Sequence, residues 1–285
     1  MKPVLHTLGG TGTPHGFSFF DELVNGCERR ARLNIVASLA GETRPALSGK
    51  FGMDRGTVFH AFQRLYHLSG DRTWSTTAVR FDNISPNTYT DRVRKVGETL
   101  FRAYRVNFAP NFFGTVLDAE KPRNMRCREY NFPVSIQCDL EVKVTGASRK
   151  RILRTFTDLD ENLDTGIWNV DFKSAKDAAQ RERLREYYQN NLRFPFYSRY
   201  LRQELGAKVR GTMILVAFEE PIGEYDLIVL PYHAPHEPLQ RFLDAAYVVH
   251  TKWSNPAALD RLNTRGCHNY WGDRCPYLNK ECDRT

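Results

Sequence analysis

The stretch Ile167-Trp168-Asn169-Val170-Asp171-Phe172-Lys173 constrains this chain more than any other. It is rich in β-branched and aromatic residues, which favour a strand. Successive side chains of a strand point to opposite faces. Asp171 and Lys173 then project together, with Phe172 buried opposite. A carboxylate and an ammonium on one strand face suit phosphodiester hydrolysis. The carboxylate can hold a divalent ion, and the lysine orients the nucleophile or offsets developing charge. Taken alone, an Asp-x-Lys pair is more often a solvated pair on an exposed strand.

Other acids give the pair a context. One strand earlier lies Ser135-Ile136-Gln137-Cys138-Asp139-Leu140-Glu141. An antiparallel neighbour brings Asp139 within reach of Asp171, so that two carboxylates share one ion. Hard oxygen ligands of this kind select Mg2+ or Mn2+. Glu141 falls on the same face as Asp139 and is expected to be solvated rather than catalytic. Upstream, Gly56-Thr57-Val58-Phe59-His60 sets a histidine in a helix, and Glu120 ends the strand Val116-Leu117-Asp118-Ala119-Glu120. The alternatives are a surface or helix-capping role for His60 and a solvated position for Glu120.

Along the chain, helices are expected at Phe17 to Leu33, Asp54 to about Leu68 and Thr90 to Tyr104, from apolar residues at helical spacing. Asp71 to Pro86 has the character of a loop. Short segments rich in β-formers follow at Phe113 to Glu120, Pro133 to Val144, Arg151 to Phe156 and Ile167 to Lys173. Turn signals at Lys121-Pro122, Thr145-Gly146 and Asp158 to Gly166 separate them into an antiparallel meander. Helices at Lys176 to Asn190 and Phe194 to Leu205, strands at Val209 to Phe218 and Tyr225 to Leu230, and a helix at Pro238 to His250 complete the pattern.

His60, Glu120, Asp139, Asp171 and Lys173 stand in an order and spacing that resemble the PD-(D/E)XK nuclease superfamily, in its RecB/Cas4-like (AddB-like) branch. Gly56 and His60 match a G-x-x-x-H helix. Asp139 matches a G-x-x-D strand, although Ser135 and Gln137 stand where glycine is common. Asp171 and Lys173 match the D-x-K strand. The resemblance implies an α/β fold, a restriction-endonuclease-like mixed sheet flanked by helices, with an N-terminal helical lobe and a C-terminal cysteine-cluster tail. It implies one nuclease domain over 1–285, its core at about 113–232. His60, Asp139, Asp171 and the main-chain carbonyl of Phe172 would ligate Mg2+ or Mn2+, with Lys173 the catalytic lysine. For the family's Q-x-x-x-Y element, Tyr197 fits the tyrosine, but Arg193 replaces the glutamine. Gln189 could instead supply the amide from another register. An arginine there can clamp a phosphate.

The chain has 285 residues and six cysteines, and three of them, Cys267, Cys275 and Cys282, crowd into its end. Such clustering without a secretory signal points to a metal site rather than disulfides. Cys27, in Asn25-Gly26-Cys27-Glu28-Arg29-Arg30, resembles the family's early cysteine. The resemblance implies a [4Fe-4S] cluster on Cys27, Cys267, Cys275 and Cys282 that clamps the domain. Structural Zn2+ is the competing assignment. Cys127 and Cys138 are expected to be ordinary thiols.

Lys and Arg outnumber Asp and Glu by 41 to 33, a net charge of +8 that favours a polyanionic partner. The implied partner is DNA, with Arg29, Arg30 and Arg193 as phosphate contacts. Further basic groups at Arg92 to Arg102 and Arg149 to Arg154 are ordinarily solvated helix faces. No apolar run is long enough for a membrane span, and a cytoplasmic location is the default expectation. The leading expectation is a metal-dependent deoxyribonuclease, an exonuclease acting on single strands or DNA ends. It would serve recombination, repair or CRISPR-adaptation-like processing, with proteins of those complexes as further partners. The rival is a catalytically silent iron–sulfur module that binds DNA or other proteins within a larger recombination complex.

Overall fold

The computed structural model describes residues 16–25, 50–68, 91–159 and 163–252. The chain divides into two compact units. One comprises Met1–Lys50, Arg123–Ile136 and Pro235–Thr285, the other Phe51–Pro122 and Gln137–Ala234.

The second unit is built on a five-stranded mixed sheet. Its strands are β1 (Thr115–Asp118), β4 (Leu140–Val144), β5 (Gly166–Asp177), β6 (Val209–Glu220) and β7 (Ile222–Pro231), in the order β1-β4-β5-β6-β7. β4 is antiparallel to β1 and β5, β6 is parallel to β5, and β7 is antiparallel to β6. The antiparallel meander therefore stops at β5. A parallel neighbour needs a crossover, and a short 3-10 turn with helices α5 (Arg181–Gln189) and α6 (Arg193–Leu205) supplies it. A strand covered on both faces reads as a near-continuous apolar run, and Met213 to Phe218 of β6 is such a run, buried throughout.

Helices α2 (Lys50–Leu68) and α3 (Asp91–Asn107) cover one sheet face. Val58, Phe59, Phe62, Tyr66, Val93, Leu100, Phe101 and Tyr104 recur at helical spacing and join the core with Trp168, Val170, Phe172, Met213 and Leu215. The opposite face carries a smaller cluster, in which Ile214, Val216 and Phe218 meet Tyr188 of α5 and Phe194 of α6. A fully buried side chain of this size contributes about 1.5–3 kcal/mol each.

The sequence expectation of a strand at Arg151 to Phe156 is corrected. That segment lies mostly in helix α4, Gly146–Thr155. Thr145, taken for a turn residue, is its N-cap: its hydroxyl accepts from the Ser148 amide, and the Ser148 side chain accepts from the Thr145 amide. Arg149 and Arg151 are not a solvated face either. Arg149 donates to the Leu163 carbonyl at 2.6 Å and Arg151 to the Phe112 carbonyl at 3.1 Å.

The expected single strand Pro133 to Val144 is two strands. β2 (Pro122–Arg126) and β3 (Pro133–Gln137) form a separate two-stranded sheet, and β4 belongs to the large one. In the first unit, α1 (Phe17–Val24) packs on α7 (Glu237–Lys252) by stacking Phe17 on Phe242 at 5.3 Å, and Phe20 meets Phe132 at 4.9 Å. Among the described residues no helix is long and apolar enough to cross a membrane.

Candidate active site

Strand β5 sorts its side chains as its alternation predicts. Trp168, Val170 and Phe172 enter the main core, leaving Asn169, Asp171 and Lys173 for the other face. Asp171 is 1% exposed, and its carboxylate forms an ion pair with Lys173, whose side chain keeps partial access to solvent. The Lys173 ammonium also donates to the Phe172 carbonyl at 3.2 Å.

Asp139 stands one residue before β4. The register Leu140↔Val170, continued by one step, sets it across from Asp171. The ladder ends there because a side chain takes it over: Oδ2 of Asp139 accepts the Phe172 amide at 2.8 Å. The same oxygen lies 3.2 Å from Nδ1 of His60 on α2. Burial works against charge on Asp139, yet His60, Lys173 and the Phe172 amide together hold its carboxyl down at about 2. Burial likewise opposes a charged His60, but attraction and hydrogen bonding from Asp139 outweigh it, and the imidazole pKa rises above its ordinary value. Gly56, one turn before His60, faces Ser174 of β5, and a Cβ there would sit 3.7 Å from the serine hydroxyl. That is ordinary contact, so close packing does not demand this glycine.

Glu120 lies two residues beyond β1, with φ at 49°. Its amide donates to the carbonyls of Cys138 and Asp139 at 3.0 and 3.2 Å, which ties it to the segment carrying Asp139. Burial raises its carboxyl pKa, Asp139 raises it further, and Arg64 and His60 ease it. Arg64, one turn after His60, is 3.4 Å from the carboxylate. The sequence reading missed Arg64. Its spacing of four from His60 on one helix is the signal that could have found it.

Arg193 and Tyr197 occupy the first turns of α6, with the guanidinium 5.2 Å from the phenol ring centroid. Burial lowers the Arg193 pKa, but Tyr197, Asp171 and Asp139 outweigh it and raise the value. Nε of Arg193 is buried without a hydrogen-bond partner. Burial raises the Tyr197 and Tyr188 pKa values, and the Asp171 charge adds to both. Gln189 is exposed while Tyr188 beside it is buried. The amide register that Gln189 offered is therefore turned away from this group.

Glu141 corrects an expectation. It is 1% exposed rather than solvated, because β4 is an interior strand and Glu141 is flanked by Asp118 of β1 and Asn169 of β5. Asn169 donates to the Thr212 hydroxyl at 3.4 Å, and that hydroxyl lies 3.0 Å from Ser198 of α6. A buried polar row thus crosses the sheet beside Asp171.

The donor set is chemically suited to a hard cation: an imidazole, two carboxylates and a main-chain carbonyl. Each carboxylate already has a protein partner, Asp139 in His60 and Asp171 in the Lys173 ammonium. Among the described residues no three His, Cys, Asp or Glu side chains are arranged around a common ion position. Cys127 and Cys138 are buried and form no disulfide. Cys27, Cys267, Cys275 and Cys282, with Arg29 and Arg30, lie outside the described residues.

No protein-family model matches this chain. No curated protein sequence matches it significantly. Among solved structures, the fold is similar to a protein from Eubacterium rectale named "Putative exonuclease", at a TM-score of 0.51 and 13% identity, over 94% of this chain and 92% of that one. At that identity the likeness shows the fold alone: a mixed α/β sheet flanked by helices, of a kind found in a nuclease-like protein.

Proposed function

We propose that this protein is a metal-dependent deoxyribonuclease of the RecB/Cas4-like type, acting as an exonuclease on single-stranded DNA or DNA ends. One observation carries the reading. His60, Asp139 and the Asp171–Lys173 pair come from three elements far apart in sequence and meet around the Phe172 peptide. A core built for stability alone has no need of buried acids there, because burying them costs free energy that apolar side chains would not.

In this reading His60, Asp139, Asp171 and the Phe172 carbonyl would hold Mg2+ or Mn2+, which polarises the phosphate and makes nearby water more acidic. Lys173 supplies positive charge beside the attacked phosphorus and orients the water. Asp139 fixes the strand ends through the Phe172 amide, and Arg64 holds Glu120 at the margin. Arg193, half-buried with its Nε inside and unpartnered, lies in the field of the same acids and would take a phosphate oxygen. Cys27, Cys267, Cys275 and Cys282 are proposed as ligands of a [4Fe-4S] cluster, with Zn2+ as the alternative. Visible sulfur-to-iron charge-transfer absorbance that vanishes in Cys27→Ala tests that part separately.

The silent-module reading is favoured by one fact, that no three side-chain ligands among the described residues already surround an ion position. Incubation of end-labelled single- and double-stranded DNA with Mn2+, Mg2+ or EDTA separates the two. Release of labelled mononucleotides or short products only with metal supports the nuclease. Intact DNA under every condition, with binding retained, supports the silent module.

A further inference from the structure

Beyond the catalytic centre, we propose that a groove at the far end of the same strands binds the phosphate backbone of single-stranded DNA a few nucleotides from the cleaved bond. The groove holds about 550 Å3 and is lined by the β4 end, the β5 start and the β6 start. Lys143, Lys208 and Arg210 line it, and no acidic residue does. All three are exposed, and neither lysine makes an ion pair with a described residue. Leu117, 46% exposed, and Ile167 give it an apolar floor.

The groove is built rather than accidental. Gly166 has φ at 145°, and a Cβ on it would come within 2.7 Å of the Lys208 carbonyl and 2.6 Å of the Arg210 side chain. Only glycine lets these chains approach so closely. The Ile167 amide donates to the Lys208 carbonyl at 2.8 Å, and Nε of Arg210 donates to the Thr165 carbonyl at 3.1 Å. The main chain at Lys208 and the guanidinium of Arg210 are therefore fixed.

Alternation along β4 and β5 sets Lys143 and Ile167, which pair across the strands, on the same sheet face as Asp171 and Lys173. Ile167 and Asp171 stand four positions apart on β5, roughly 13 Å at strand rise. The middle of that face is closed, with Glu141, Asn169 and Thr212 buried and Ser198 of α6 on Thr212, so a strand leaving the catalytic pair passes round this cover before it reaches the basic groove. Like charges with no acid among them favour a polyanionic ligand, and apolar side chains below accept base faces. With no aromatic in the lining, binding is phosphate-dominated and tolerant of sequence. The proposal rests on the nuclease reading for the course of the strand.

The test uses the full chain and the variants Lys143→Glu/Lys208→Glu and Lys143→Ala/Lys208→Ala, each checked by its melting curve. Binding of a fluorescein-labelled oligothymidylate of about 12 nucleotides is followed in EDTA by anisotropy, across about 50–200 mM salt. Loss of two phosphate contacts should flatten the slope of log K against log salt by about 1.4, at about 0.7 per contact on a single strand. With Mn2+, cleavage of that oligomer should become less efficient, while thymidine 5′-phosphate p-nitrophenyl ester, too short to reach the groove, is hydrolysed as by wild type. Unchanged slope in both variants overturns the proposal. So does wild-type protein that does not bind the oligomer, or equal displacement by polyglutamate of matched length. If wild type binds with a lysine-dependent slope but cleaves neither substrate, the nuclease reading fails and the groove stands.

Discussion

The two faces of β5 are both buried, and they are buried for opposite reasons. Trp168, Val170 and Phe172 enter an apolar core shared with α2 and α3. Asn169, Asp171 and Lys173 take the other face, where an apolar residue at each position would pack at lower cost. Burial on the first face is its own reward. On the second it is a cost that must be offset by hydrogen bonds, ion pairs or function. The difference teaches where mutation should cost stability and where it should cost activity.

Phe172→Ala tests the first face most severely. Truncating a fully buried phenylalanine costs about 3–5 kcal/mol. Urea unfolding should show that loss, and a loss below about 1 kcal/mol would mean the core is not packed as described. On the second face, Asp171→Ala and Lys173→Ala should each lower cleavage at least about 100-fold; the melting temperature should be nearly unchanged in Asp171→Ala but lowered in Lys173→Ala, which leaves the buried Asp171 carboxylate unpaired. Lys173 reaches solvent, so its charge is not stranded when Asp171 is lost. Wild-type cleavage by either folded variant would remove the pair from catalysis.

Within the polar face the comparison sharpens further. Glu141 and Asn169 are buried beside Asp171, in a row that continues through Thr212 and Ser198, where Asn169 bonds to Thr212 and Thr212 to Ser198. Glu141→Ala should cost about 1–3 kcal/mol through partners left unsatisfied, with the cleavage rate per folded molecule retained. A variant as stable as wild type but inactive would reverse this division and place Glu141 among the groups that touch substrate.

The division was legible in part. A period of two is a local property, so the alternation of Asp171, Phe172 and Lys173 could be read from seven residues. The Glu141 environment could not, because its burial depends on β1 and β5 flanking β4, a non-local fact. Arg151 to Phe156 misled for a different reason. Ile152, Thr155 and Phe156 have strand-like propensity, but the Thr145 and Ser148 capping pair starts a helix before them, and position within an element outweighs propensity. Cys138-Asp139 looked like strand interior because side-chain takeover of a ladder amide leaves no compositional mark. The switch to parallel pairing at β5 and β6 was hidden for the same reason as Glu141. Strand β2, Pro122-Arg-Asn-Met-Arg, carries little β-propensity and is held by its pairing with β3.

The smallest expected effect concerns the His60–Asp139 contact in metal-free protein, and its sign can be worked out. His60 has a folded-state pKa above 6.5, so its contribution is full below that value and fades as pH rises through the folded pKa. Asp139 has a folded-state pKa of about 2 against 3.8, so its contribution is full above 3.8 and fades as pH falls toward 2. Together they predict a plateau of stability between those limits. His60→Ala in EDTA should lose most melting temperature on that plateau and progressively less at higher pH. Added Mn2+ should act in the opposite sense, stabilising wild type more as pH rises, because a metal-bound imidazole must be neutral. A difference between wild type and His60→Ala that does not vary with pH would show that the imidazole and the carboxylate do not exchange charge stabilisation, and the polar face would lose its link to α2.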